Sequence, residues 1–351
     1  LNVGEMLASG LDGLSRMLFA MLTPDGANEE GNNYSRRAAI PVVRLAWAMR
    51  RMTGADLLNR EDVLRWHRWQ AEIKRPDGRI WPLDDSDDIF EGYPHGLLAN
   101  PACKDAALHR WAHDRAPFPF PEWAGEAMLV FDARVRPCAP KRNPSYVLAE
   151  SGMAVFRTGW DRDATMGLLV ARPLPAFGAD QFNTAHRHDD PTNFLLHAHG
   201  RLMVTEAGYG GYCAEGRYAY NLAGTGHNMV LVDGQGPLRV TSHNNDSRRG
   251  NTSQSAGRVR ELCRTPEIYG AQAVTSYQNV DFRRSVFMVR GRYFVIIDEV
   301  EGAKTHEYSW LLHGNSLEMT YAAPDGAHWA IGPTRLAAHV LLPTNAPWRH
   351  L

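Results

Sequence analysis

The chain is poor in the residues that staple a small fold. Its 351 residues include four cysteines, Cys103, Cys138, Cys213 and Cys263, widely spaced and without a CxxC pair. That excludes a zinc ribbon and a disulfide framework. Long apolar runs are also missing, and none reaches the roughly 18–20 residues of a membrane span. The opening residues lack a basic leader, and Glu5 and Asp12 interrupt their apolar positions, so they do not read as a signal peptide. Charge of either sign is not in excess, since 38 basic residues face 39 acidic ones for a formal net charge of -1. This excludes a nucleic-acid binder that works through a global basic field. A local basic cleft for an acidic sugar polymer is compatible with it. Internal repeats and low-complexity tracts are absent.

The length suffices for two domains with a sizeable core. Residues 1–75 read as helical. Leu7, Leu11, Leu14, Leu18 and Met21 form an amphipathic stripe that Thr23-Pro24-Asp25-Gly26 stops. A second helix is expected from about Tyr34 to Met52, ended by Thr53-Gly54, and a third from about Arg60 to Lys74. The acidic stretch Asp84-Asp85-Ser86-Asp87-Asp88 lacks the spacing of a calcium loop and reads as a solvated loop. The proline-rich segments Ala116–Pro121 and Pro137–Pro144 mark a linker. From Tyr146 the period changes. Short apolar runs bounded by Gly, Asp and Asn predict strands at Met153–Arg157, Leu168–Arg172, Asn193–His197, Leu202–Thr205, Met229–Val232, Val286–Arg290 and Tyr293–Val300. Arg290-Gly291 reads as a hairpin turn, and Asn244–Ser255 as a surface loop. The expected fold is α+β: helices over 1–145, then a large antiparallel β-sandwich over 146–351. The chain opens on Leu inside a helical pattern and closes just after a strand-like run, so we expect a piece of a longer protein.

The densest chemistry lies in His186-Arg187-His188-Asp189-Asp190, followed by Thr205-Glu206-Ala207-Gly208 and Gly226-His227-Asn228. On a strand, His186 and His188 would share a face. Imidazoles plus a carboxylate are a normal zinc shell, and they equally describe a polar cleft without metal. His306 and His313 read as partly buried sheet residues, Trp160 and Trp310 as core, and His243 as an exposed loop residue.

Four elements in order, SGMAVFRTGWD, HRHDDPTNFLL, LMVTEAGYGGY and GHNMVLVDG, make the stretch from Ser151 to Gly234 similar to the β-domain of the heparinase II/III family. The loop from Asp25 to Tyr34 resembles that family's DG-x-x-x-E loop before a catalytic Tyr, with Arg36 and Arg37 just after it. The resemblance implies an α/α barrel followed by antiparallel β-sheet domains, and a polysaccharide lyase acting on heparan-type glycosaminoglycans or alginate. It implies that Tyr34 and His186 are catalytic. It also implies that His188, Glu206 and His227 hold a structural zinc, with Glu206 standing where the family has Asp. Arg36, Arg37, Tyr209, Arg217 and Tyr218 are the expected substrate contacts, with Tyr212 and Tyr220 beside them. An acidic polysaccharide is the expected partner, and a periplasmic or secreted location goes with the family. The family's carboxylate-neutralising Asn or His should lie upstream of Leu1.

Such an enzyme works by β-elimination. A base removes the proton at C5 of a uronate, and the bond from C4 to the bridging oxygen breaks. A Tyr can be base and then acid if nearby positive charge lowers its pKa from about 10. Hydrogen bonds to the carboxylate stabilise the enolate. Two rivals remain in view. A cupin would run oxygenase or isomerase chemistry on HxH, a carboxylate and a later His in a small barrel, but cupins place their Glu soon after HxH, where Pro191, Thr192 and Asn193 stand. The other rival is a carbohydrate-binding relative without catalysis.

Overall fold

The computed structural model describes residues 2–88, 93–115, 123–174, 186–211, 215–241, 251–253, 256–316, 319–322 and 326–343. Among the described residues six α-helices come first: α1 (Val3–Met21), α2 (Gly31–Thr53), α3 (Glu61–Ile73), α4 (His95–Leu98), α5 (Ala106–His113) and α6 (Ala124–Val130). Asn2 caps α1 through the Glu5 amide while the Glu5 carboxylate returns to the Asn2 amide. Gly54, in the left-handed region, ends α2. The three long helices match the expected periodic segments to within a few residues. The short helices α4 to α6 were not legible among the breakers of residues 76–145, and Ala116–Pro121 lies outside the described residues. Pro137–Pro144 carries no helix or strand.

The strands are β1 (Tyr146–Leu148), β2 (Met153–Arg157), β3 (Met166–Val170), β4 (Asn193–Ala198), β5 (Arg201–Val204), β6 (Val230–Val232), β7 (Arg239–Thr241), β8 (Asn251–Ser253), β9 (Gly257–Arg264), β10 (Ile268–Tyr277), β11 (Val280–Val289), β12 (Tyr293–Gly302), β13 (Tyr308–Trp310), β14 (Met319–Ala322), β15 (Gly326–Ile331) and β16 (Thr334–His339). β1 to β5 form a five-stranded antiparallel meander, and β9 to β12 a four-stranded one. Arg290 and Gly291, both at positive φ, make the β11–β12 turn as expected.

The five-stranded sheet is the middle of three layers. Alternate side chains of its strands point to opposite faces. On one face Met153, Val155, Leu168, Val170 and Leu195 pack against Trp66, Trp69, Ile73 and Trp81 of the helical layer. On the other, Ala154, Phe156, Leu169 and Phe194 pack against Tyr269, Ala271, Val286 and Met288 of the four-stranded sheet. Burial on both faces explains why β2 and β3 read as continuous apolar runs rather than as alternating ones. Trp310 departs from its expected place in the core: it is 36% exposed. It covers the Arg284 guanidinium and donates to Asp298. Trp160 is half-buried against the helical core.

Charged groups join the helical layer to the sheets. Arg157 on β2 donates from Nη1 to the Glu72 and Lys74 carbonyls at the end of α3, each at 3.2 Å. Arg115 reaches the Trp160 carbonyl, and Arg162 the Asp114 carbonyl.

Candidate active site and metal centre

Tyr34 lies in the second turn of α2, and the loop before it is held from several sides. The Asp25 carboxylate accepts from the Thr23 hydroxyl at 2.6 Å and from the Glu150 and Ser151 amides at 3.1 Å. Gly26 is at φ 97, and a Cβ there would stand 2.4 Å from the Arg65 carbonyl oxygen, so the glycine of the DG pair is a steric requirement. The His186 ring stacks on Tyr34, with centroids 3.7 Å apart and planes within 15°. Its Nδ1 is 3.6 Å from the Glu30 carboxylate. A helix residue and a residue 152 positions later thus meet face to face. Arg37, three residues after Tyr34, shares its side of the helix and is exposed. Arg36 is half-buried, and its Nε has no hydrogen-bond partner among the described residues.

His186 and His188 are not on a strand. They belong to the irregular segment before β4, and their rings serve different neighbours. The cupin arrangement, with HxH on a strand of a small barrel, is therefore not the one found. His188 is fully buried, and its Nε2 is 3.2 Å from Asp85 Oδ1. The expectation of a solvated acidic loop is overturned here, because Asp84, Asp85 and Ser86 have no exposed surface. Arg172 grips Asp84 with both Nη atoms, and the His188 amide donates to Asp84 at 3.3 Å. Arg217 Nη2 donates to both oxygens of Asp85, at 2.9 and 2.7 Å. The Asp85 amide donates to the His186 carbonyl, and the Asn33 amide donates to Ser86 Oγ. Gly208, at φ 59, allows close approach to this loop: a Cβ there would be 2.9 Å from the Ser86 carbonyl oxygen. The acid run itself was visible in the sequence; what hid its role is that Arg172, His188 and Arg217, which meet it, stand 88, 103 and 132 residues away.

His188, Glu206 and His227 converge, with one donor atom from each lying within 4.8 Å of the others, all in buried residues. Glu206 Oε2 is 2.7 Å from His227 Nδ1 and accepts from Asn193 Nδ2. Glu206 Oε1 and His227 Nε2 are buried without a hydrogen-bond partner among the described residues. Unpartnered buried polar atoms of this kind point to an unseen ion or water. The charge inventory points the same way. Five buried carboxyl groups (Asp84, Asp85, Asp189, Asp190 and Glu206) surround three buried guanidiniums (Arg172, Arg187 and Arg217). A divalent cation would neutralise the excess. Burial raises the Glu206 carboxyl above its ordinary range despite the pull of His227. Burial disfavours a charged His227, but the Glu206 charge outweighs it and holds the imidazole above its ordinary value. The pair therefore shares a proton, which a metal would displace. The residues fit a zinc ion by donor type and by these orphaned atoms.

Asn228 explains the second letter of the His-Asn motif. Its side chain donates to the Phe194 and Thr205 carbonyls, at 2.8 and 2.6 Å, and accepts from the His313 amide. His313 is half-buried in this network, and burial pushes its imidazole down to about 4. Arg217 begins a single π-helical turn (Arg217–Asn221) and is buried. With its charge matched by Asp85, it supports the wall and is not an arginine open to substrate. Tyr209 is half-buried, its ring 5.3 Å from the Arg217 guanidinium carbon. Tyr220 is 45% exposed. Tyr218 lies in the π-helical turn, but its side chain, like Tyr212 and His243, falls outside what is described.

Comparison with known proteins gives a consistent picture. The profile of the family described as "Heparinase II/III-like, C-terminal" matches residues 140–348. Two curated proteins named heparin-sulfate lyase are similar in part. The one from Pedobacter heparinus is 28% identical over 166 residues, which cover 46% of this chain and 22% of that protein. The one from Bacteroides stercoris is 28% identical over 180 residues, which cover 50% and 22%. Among solved structures, a heparinase III superposes with a TM-score of 0.68 at 20% identity, covering 92% of this chain and 46% of that one. The heparan sulfate lyase HepC from Pedobacter heparinus gives a TM-score of 0.63 at 19% identity, covering 91% and 47%. At these identities the structural likeness shows the fold. The chain spans about half the length of the structures it matches.

Proposed function

This chain belongs to the Heparinase II/III-like family, and we propose that it carries the catalytic centre of a polysaccharide lyase that cleaves a uronate-containing, heparan-type polymer by β-elimination. The observation that carries this reading is the stacked pair of Tyr34 and His186, brought together from the helical layer and from the segment before β4. The names of the similar proteins favour a glycosaminoglycan over alginate as substrate. We further propose that the helices form part of an α/α barrel. A secreted or periplasmic location follows from the same kinship; among the described residues no helix is long and apolar enough to cross a membrane.

In this reading the Tyr34 phenolate removes the C5 proton and returns it to the bridging oxygen as the bond to C4 breaks. His186, flat against the Tyr34 ring, fixes the phenol's orientation and offers a ring nitrogen to the leaving oxygen or the carboxylate. Arg37, exposed beside Tyr34, draws the acidic polymer and favours the phenolate. A zinc ion held by His188, Glu206 and His227 would supply cross-linking of three chain segments, a structural task rather than a chemical one. Through Asp85 and the His186 carbonyl, that order extends to the catalytic pair.

The test is the ultraviolet absorbance of the unsaturated uronate, followed on heparan sulfate, heparin, hyaluronan and alginate. We expect signal on a heparan-type polymer and its loss, by at least about a hundredfold, in Tyr34→Phe with an unchanged unfolding midpoint. Near-normal activity in Tyr34→Phe would overturn the assignment. A folded protein that binds these polymers and releases no product would favour a binding relative.

A further inference from the structure

Asp85 comes from the loop between α3 and α4, yet its carboxylate reaches His188 and Arg217 of the β-domain's site. Oδ1 faces His188 Nε2 at 3.2 Å, and both oxygens accept from Arg217 Nη2. Its main chain is engaged as well. The amide donates to the His186 carbonyl, and the carbonyl accepts from Asn33 Nδ2 at 3.4 Å, one residue before Tyr34. Asp85, His188 and Arg217 are all buried, so water does not compete for these contacts.

We propose that Asp85 is a positioning residue of the metal centre: its carboxylate takes the Nε2–H of His188, fixes the ring's tautomer, and so presents Nδ1 to a divalent cation shared with Glu206 and His227. The inference rests on the metal reading given above. An imidazole ligand is more basic, and turned correctly, when its other nitrogen donates to a carboxylate. Arg217 Nη2 meets the same carboxylate and matches its charge, while the tautomer of His188 is set by Asp85 itself. The metal ligands thus lie on β-domain segments, and the group that aims one of them comes from the helical layer. The same residue's main chain touches the segments that bear Tyr34 and His186.

The measurement is affinity for Zn2+, by chelator competition, and for Co2+, by its visible absorption bands. Both are read on the protein without substrate. Asp85→Asn should weaken both by about 10–100-fold and alter the Co2+ bands. Because that change leaves Arg217 buried and unmatched, the double variant Asp85→Leu/Arg217→Met replaces the ion pair with apolar groups of similar bulk. It should fold and show the same weakening, while Arg217→Met alone binds as tightly as the parent. Equal affinity in the parent and the double variant overturns the role of Asp85 and leaves the metal reading standing. Equal weakening in Arg217→Met also overturns it, since the loss then follows the pair and not the carboxylate. A parent that binds neither ion overturns both the metal reading and this inference. The lyase reading is tested separately, by Tyr34→Phe.

Discussion

Asp84 and Asp87 sit three residues apart in one acidic run, and burial sets them different tasks. Asp84 is enclosed, grips Arg172 and accepts from the His188 amide. Asp87 is exposed. Asp84→Ala removes the bidentate partner of the buried Arg172 guanidinium, leaving Asp190 at 3.6 Å, and should cost about 3 kcal/mol in denaturant unfolding. Asp87→Ala should stay within about 0.5 kcal/mol of the parent. Equal effects at the two positions would show that the run is solvated after all. The same distinction separates the arginines: Arg37 is exposed and able to meet a polymer, whereas Arg217 is committed to Asp85. The chemical types were legible at all these positions, but the depth of each was not.

At the scale of elements, α3, α5 and the short α4 enclose a set of imidazoles. His67 bonds the Tyr93 hydroxyl, and His95 Nδ1 lies 3.2 Å from His109 Nδ1. Burial holds all three below their ordinary range, His109 at about 3. The unfolded chain protonates near pH 6.5. The folded state keeps His109 neutral down to about 3, so its contribution is complete above pH 6.5 and is lost as pH falls from there. At pH 5 the loss from His109 is about 2 kcal/mol. Unfolding free energies at pH 7.5 and pH 5 should therefore differ, and by less in His109→Asn; an unchanged difference would contradict a neutral buried His109. Strands show the same gap between pattern and context. Met153–Arg157 was legible to the residue because five consecutive buried positions make one uninterrupted run. The strand expected at Asn193–His197 begins where expected, and the shared face that His186 and His188 would have on a strand does not arise, since Pro191 and the positive φ of Thr192 delay β4 until Asn193.

Across the whole molecule, the active centre depends on the helical layer and the five-stranded sheet keeping their register. Arg157 is one of the ties: buried, over the Trp160 ring at 4.6 Å, and donating to the last carbonyls of α3. Burial lowers it to about 10, far enough above neutrality that it stays charged. Arg157→Met should cost about 3 kcal/mol, from lost charged hydrogen bonds and carbonyls left without donors. Amide exchange should quicken in α3 and β2 first, while β10 and β11, deep in the other sheet, keep their protection. Uniform quickening would mean that the layers unfold as one unit and that Arg157 is not a local tie.

Local sequence patterns carry the order of helices and strands, the three long helices, four strands of the five-stranded sheet, the β11–β12 hairpin, and the residue types of the metal and catalytic clusters. These follow from periods of 3.6 and 2 and from short motifs, all of them local. Only the folded structure shows that the five-stranded sheet is covered on both faces, that Tyr34 lies flat on His186, and that Asp84 and Asp85 are buried. Only it showed that Arg217 is spent on a carboxylate 132 residues away. The physical reason is common to them all. Burial and charge matching are set by partners distant in sequence, and no local pattern records which acid an arginine will meet once water is excluded.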